Sequence, residues 1–222
     1  MKREKFGMER ILKISKIDMI RVGLVAMSVV VVQLGVPGRA YAGGSVDADY
    51  VRSLAAPGKK VLVIEYYDGQ KTVVARQGYA SAKGFAPISP TDFRVDDRVS
   101  LHLFGVESCQ GDFVNKREGY SGSCEDFART HLAIELKAAK VLYCRAFLTE
   151  EKASVQDVTC WGYHYYPGSL DSVDNMEEQL LSIGALRLSR KADGTPLRPD
   201  LISAERIGRT GYGMWADART QR

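Results

Sequence analysis

Few side chains in this sequence have the type and spacing for chemistry. Asp92, Asp96, Asp97 and Glu107 lie close together in the chain and offer the carboxylates of a cation site, with His102 among them as a base or a further ligand. Arg94 and Arg98 flank the Asp96-Asp97 pair and are spaced to reach a phosphate from one strand pair. Each has a plainer reading. Asp96-Asp97 suits a hairpin turn, a lone histidine is ordinarily structural, and strand arginines are ordinarily solvated. His131 falls on the apolar stripe of a helix and His164 in the aromatic run Trp161-Gly-Tyr-His-Tyr-Tyr166. That run offers stacking surfaces for bases or sugars, against the expectation of a strand end packed on Pro167. No Gly-x-Ser-x-Gly, Walker or dinucleotide glycine pattern occurs.

The cysteines Cys109, Cys124, Cys144 and Cys160 contain no Cys-x-x-Cys spacing, which argues against zinc. Their chemistry depends on compartment. Residues 1–21 carry seven bases, Val22–Val36 is an apolar run, and Ala40-Tyr-Ala42 follows, the pattern of a secretory signal peptide cleaved near Ala42. Fifteen residues at about 1.5 Å each fall short of a bilayer of roughly 30 Å, so no stable membrane anchor is expected after cleavage. The expected location is secreted or periplasmic, where an even cysteine count reads as disulfides. Three pairings are open. If Val141–Phe147 and Asp157–Tyr163 form a hairpin turning about Lys152, Cys144 faces Cys160 and Cys109 is left with Cys124.

The 222 residues carry a net charge of +4, but residues 1–42 hold eight Lys/Arg and three Asp/Glu. The remainder is close to neutral, so charge argues for no nucleic-acid or membrane partner.

Certain elements must position these residues. After a flexible lead-in over 43–58, β-branched runs at 60–66 and 71–76 flank an Asp-Gly pair, predicting a hairpin. A second hairpin is expected across Asp96-Asp97, from Phe93–Val95 to Val99–Phe104, and residues 108–122 read as a loop. Ser123 is a candidate N-cap for a helix from Cys124 to Ala139, with Phe127, His131, Ile134 and Ala138 at helical spacing beside Leu132 and Leu136. Helices are further expected at 174–183, stopped by Gly184, and at 199–207. The order is β-β-β-α-β-β-α-α, an α+β, β-rich domain over 59–222.

With that order, four segments resemble the thermonuclease, or staphylococcal-nuclease-like, family. They are His102-Leu-Phe-Gly-Val-Glu-Ser108, Cys124-Glu-Asp-Phe-Ala128, the Cys144/Cys160 pair, and Leu180–Ala185 followed by Glu205–Arg209 and Gly211–Ala216. The resemblance covers about Asp92 to Arg219 and implies a five-stranded OB-fold barrel with about three helices, here with an extra N-terminal hairpin. It also implies a metal-dependent nuclease site, from which this sequence departs. The family's first arginine falls on His102, its aspartate on Glu107, its general-base glutamate on Gln110 and its second arginine on Val155. Its Asp-Gly-Asp-Thr turn falls on Ser89–Asp92 or on Asp68–Lys71, losing the second aspartate to Thr91 or to Gln70. Only Glu107 keeps a charge suited to a metal.

The expectation is a catalytically degenerate thermonuclease-family domain acting as a binding or structural module, without a cofactor. Single-stranded nucleic acid, a glycan or a protein would be its ligand. The alternative is an active nuclease, Ca2+-dependent, with a rearranged site around His102, Glu107 and Asp92.

Overall fold

The computed structural model describes residues 46–168 and 170–221. The expected signal peptide lies outside them. Among the described residues no helix is long and apolar enough to cross a membrane.

The lead-in holds a helix that sequence did not reveal. Asp47 caps α1 (Ala48–Ser53) by accepting from the Asp49 and Tyr50 N–H groups, and Val51 is fully buried. Val51 packs with Val141, Tyr143 and Trp161 in a small second core. Burial of Val51, with Val46, Tyr50 and Leu54 packed against the same core, fixes the segment despite the polar composition around it.

The fold is β-rich α+β, with 27% helix and 36% strand among the described residues. β1 (Lys60–Tyr67) and β2 (Val73–Ser81) form the expected first hairpin, whose Asp68 Oδ1 accepts from the Gln70 and Thr72 N–H groups. β3 (Ala86–Pro87), β4 (Asp92–Arg94) and β5 (Ser100–Leu103) form a meander. Asp96 Oδ1 accepts from the N–H groups of Arg98 and Val99, so this carboxylate builds the β4–β5 turn, as its plainer reading required. β9 (Val141–Phe147) and β10 (Val155–Tyr165) pair antiparallel, and β11 (Asp171–Asn175) adds to β10.

The main sheet has eight strands in the order β2-β1-β9-β10-β5-β4-β3, with β11 beside β10. It is mixed, since β1 runs parallel to β9 and β10 parallel to β5. Among the described residues the sheet does not close into a barrel. The first hairpin is not an appendage: β1 takes the place beside β9, and β2 and β3 remain unpaired with each other at the two ends of the order.

Residues 108–122 are not simply a loop. β6 (Val106–Glu107) precedes β7 (Asp112–Asn115) and β8 (Tyr120–Ser123), a hairpin whose Phe113 and Asn115 are fully buried. Ser123 then caps α2 (Cys124–Ala138) by accepting from the Asp126 N–H. Its buried stripe is Cys124, Phe127, Ala128, Leu132 and Leu136, while Ile134 faces solvent. The stripe is rotated from the expected one because Leu132 and Leu136 lead it.

The expected helix over 174–183 is shorter, α3 (Met176–Ser182), because β11 claims Asp174 and Asn175. After β12 (Arg187–Leu188), a 3-10 turn at Pro199–Leu201 leads into α4 (Ile202–Gly208). The glycines here are points of backbone contact. A Cβ on Gly208 would meet the Leu181 carbonyl oxygen at 2.3 Å, and one on Gly213, at φ +50°, would meet that of Gly184 at 2.4 Å. Trp215, fully enclosed, fills the junction, with the Arg209 guanidinium 4.1 Å from its ring.

Candidate functional site

β4 and β5 place Asp92 directly opposite His102. Asp92 Oδ1 lies 2.8 Å from His102 Nδ1. A carboxylate only accepts, so Nδ1–H donates to it, and in the neutral imidazole Nε2 is left as an acceptor. The carboxylate is itself held: Ser89 Oγ donates to Asp92 Oδ2 and accepts from the N–H groups of Thr91 and Asp92. Thr91 Oγ1 stands 3.4 Å from the same imidazole nitrogen.

His102 opens on a cavity of about 420 Å³. Pro90 and Thr91 form one wall and the stretch Val106–Gln110 another. Arg187 and Ser189 close it from β12 and the residue after it. β6 pairs antiparallel with β12, setting Glu107 opposite Arg187, and Arg187 Nε donates to Glu107 Oε1 at 2.9 Å. β12 is in turn held by Glu205, whose buried carboxylate accepts from the Leu188 N–H at 3.0 Å and from Arg190 Nη2 at 2.9 Å. The Cys109–Cys124 disulfide ties the cavity wall to the first residue of α2.

Thus Thr91, His102, Glu107 and Gln110 line one cavity, although eleven residues separate the first two and β12 must fold back to complete it. Val155 does not join them. It opens β10 opposite Ser100 and is exposed. Its neighbour Gln156 is fully buried and accepts from the Tyr66 hydroxyl at 2.9 Å, so a one-residue shift of alignment meets a core network instead of a cation. Of the two possible acidic turns, Ser89–Asp92 borders the cavity, whereas Asp68–Lys71 forms the β1–β2 turn and does not line it. Asp97 does not line it either. Among the described residues no group of three His, Cys, Asp or Glu side chains is placed to hold a metal ion.

The remaining histidines and the aromatic run do not line the cavity. His131 lies against Phe127 with ring centres 4.4 Å apart, and burial pushes its pKa down. His164 is buried, its Nε2 3.4 Å from Glu135. Trp161 belongs to the second core, while Tyr165 and Tyr166 are half exposed at the end of β10.

Arg187 and Ser189 escaped sequence reasoning. They stand about eighty residues from Glu107 in the chain, and the short β12 carries no alternation to announce a strand. The site offers an oriented imidazole, a carboxylate paired with a guanidinium, and the uncharged Gln110, Ser108 and Ser189. Comparison with family models, curated proteins and solved structures finds no match.

Proposed function

We propose that this is an exported domain on a thermonuclease-like scaffold whose cavity has lost metal-assisted phosphodiester hydrolysis and binds a ligand. The observation that carries the reading is that Thr91, His102, Glu107 and Gln110, matched to four of the family's five catalytic positions when the acidic turn is set on Ser89–Asp92, line one cavity containing a single carboxylate, while the fifth, Val155, lies outside it. That carboxylate is already engaged by Arg187. A hard divalent cation needs several oxygen ligands, and a water nucleophile needs a base where Gln110 supplies an amide.

On this reading the open sheet is a divergent form of the OB barrel, with β4, β5, α2, β9, β10, α3 and α4 in the family's order. Export rests on the pattern of residues 1–42, with cleavage near Ala42, and two disulfides are compatible with it. Single-stranded nucleic acid, a glycan or a protein remain the ligand classes, since this scaffold type presents one binding face to different partners.

Calorimetric titration of the oxidised protein with calcium tests the loss of the metal site. No saturable binding is expected up to millimolar calcium. Saturable binding that Glu107→Gln abolishes would overturn the reading.

A further inference from the structure

Two groups in the cavity have unused hydrogen-bonding capacity of opposite kinds. His102 gives Nδ1–H to Asp92, and its Nε2 has no hydrogen-bond partner among the described residues. Its side chain is 33% exposed, so a ligand can reach it. Arg187 spends Nε on Glu107, and its two terminal nitrogens have no partner among the described residues. Both line the same cavity.

An acceptor and a guanidinium fork in one cavity complement a hydroxyl and a phosphodiester of one ligand. A ribose 2′-hydroxyl provides that pair, and DNA lacks it. Such a hydroxyl also makes the nucleophile part of the substrate, and the reaction it enables needs no metal.

We propose that the cavity is a metal-independent ribonucleotide site, in which His102 Nε2 takes the proton of a 2′-hydroxyl while Arg187 holds the adjacent phosphodiester. The inference rests on the reading that metal-assisted hydrolysis has been lost. In the step, the 2′-O–H bond breaks with its proton passing to Nε2, and the 2′-oxygen forms a bond to phosphorus. The P–O5′ bond breaks, its electron pair leaving on the 5′-oxygen, which takes a proton from water. The imidazolium proton neutralises the hydroxide so formed. The products are a 2′,3′-cyclic phosphate and a 5′-hydroxyl, with nothing oxidised, reduced or consumed. His102 is the catalytic base and Arg187 stabilises charge growing on the phosphate. Asp92 and Glu107 are positioning residues.

The test incubates the full oxidised chain, with chelator present, with a single-stranded RNA, the same RNA carrying one 2′-deoxy position, and the matching DNA. RNA is expected to be cleaved to cyclic phosphate ends, with no cut at the deoxy position and none in DNA. His102→Gln, prepared identically and matched in thermal unfolding, is expected to lose about 100-fold or more in rate. Arg187→Ala is expected to lose about 100-fold. Asp92→Asn is expected to lower kcat, leave KM near its original value and change the pH profile.

Intact RNA in chelator overturns the inference, as does undiminished cleavage by His102→Gln or cutting at the deoxy position. RNA that binds but stays intact defeats this inference while leaving the binding reading standing. Calcium-stimulated cleavage of DNA defeats the binding reading itself.

Discussion

Asp92 and His102 are direct partners across β4 and β5, and Asp92 Oδ1 stands 2.8 Å from His102 Nδ1. The pair is built by the sheet. Register fixes the two Cα positions, and Ser89 Oγ, itself held by the Thr91 and Asp92 N–H groups, donates to the carboxylate. The tautomer therefore follows from the backbone. In the native protein the imidazole nitrogen shifts should report protonation at Nδ1, and in Asp92→Ala that preference should vanish. A native protein protonated chiefly at Nε2 would contradict the assignment.

The disulfides are expected to act on different parts of the molecule. Cys144 and Cys160 are fully buried partners of β9 and β10, their Cα atoms 4.1 Å apart. Replacing both by Ala should cost about 3 kcal/mol from the lost constraint on a loop of this length, with a further cost for the emptied core space. Replacing Cys109 and Cys124 should cost about 3 kcal/mol on the same entropy argument, and should also loosen the cavity wall. Urea unfolding measures the first effect, and hydrogen exchange across β7 and β8 the second.

Glu177 makes stability depend on pH. It is wholly buried at the start of α3, where its carboxylate accepts from the Cys160 N–H at 3.2 Å and faces Arg198 at 3.7 Å, with Asp200 beyond. Burial pushes its pKa up to about 7, against the pull of Arg198 and the backbone donor. A carboxyl that holds its proton more tightly when folded stabilises the protein at low pH. That contribution is lost as pH rises from the ordinary carboxyl range through about 7. Glu177→Gln should flatten this decline in a series of thermal melts between those limits, and an unchanged slope would exclude Glu177 as its source.

Gly208→Ala should destabilise by about 1–3 kcal/mol, as overpacking does, because the added carbon meets the Leu181 carbonyl oxygen at 2.3 Å. A neutral result would mean that the α3–α4 contact yields freely. The glycines at 184, 208 and 213 are thus accounted for by close backbone packing near Trp215.

What sequence conveyed followed from how local each determinant is. The first hairpin, the Asp96 turn, the Ser123 cap and the Cys144/Cys160 register are set by neighbours in the chain, and all appear as expected. The β7–β8 hairpin and α1 were missed because polar, glycine-rich sequence hid one or two decisive buried residues, Phe113 and Asn115 in one and Val51 in the other. The barrel expectation failed at β1, whose parallel pairing with β9 is a long-range choice that no local pattern encodes. Of the cavity's residues, His102 and Glu107 stood out by type, while Thr91 and Gln110 stood out only as positions matched through the thermonuclease resemblance. Arg187 was not, since only the β6–β12 pairing brings it there.

The measurement that bears most directly on the proposed loss of metal-assisted hydrolysis is cleavage of single-stranded DNA by the oxidised protein in calcium, with and without chelator, beside a thermonuclease control. The account predicts no calcium-stimulated cleavage above a blank while the control digests the strand. Chelator-sensitive cleavage that Glu107→Gln removes would contradict it and return the cavity to metal-dependent catalysis.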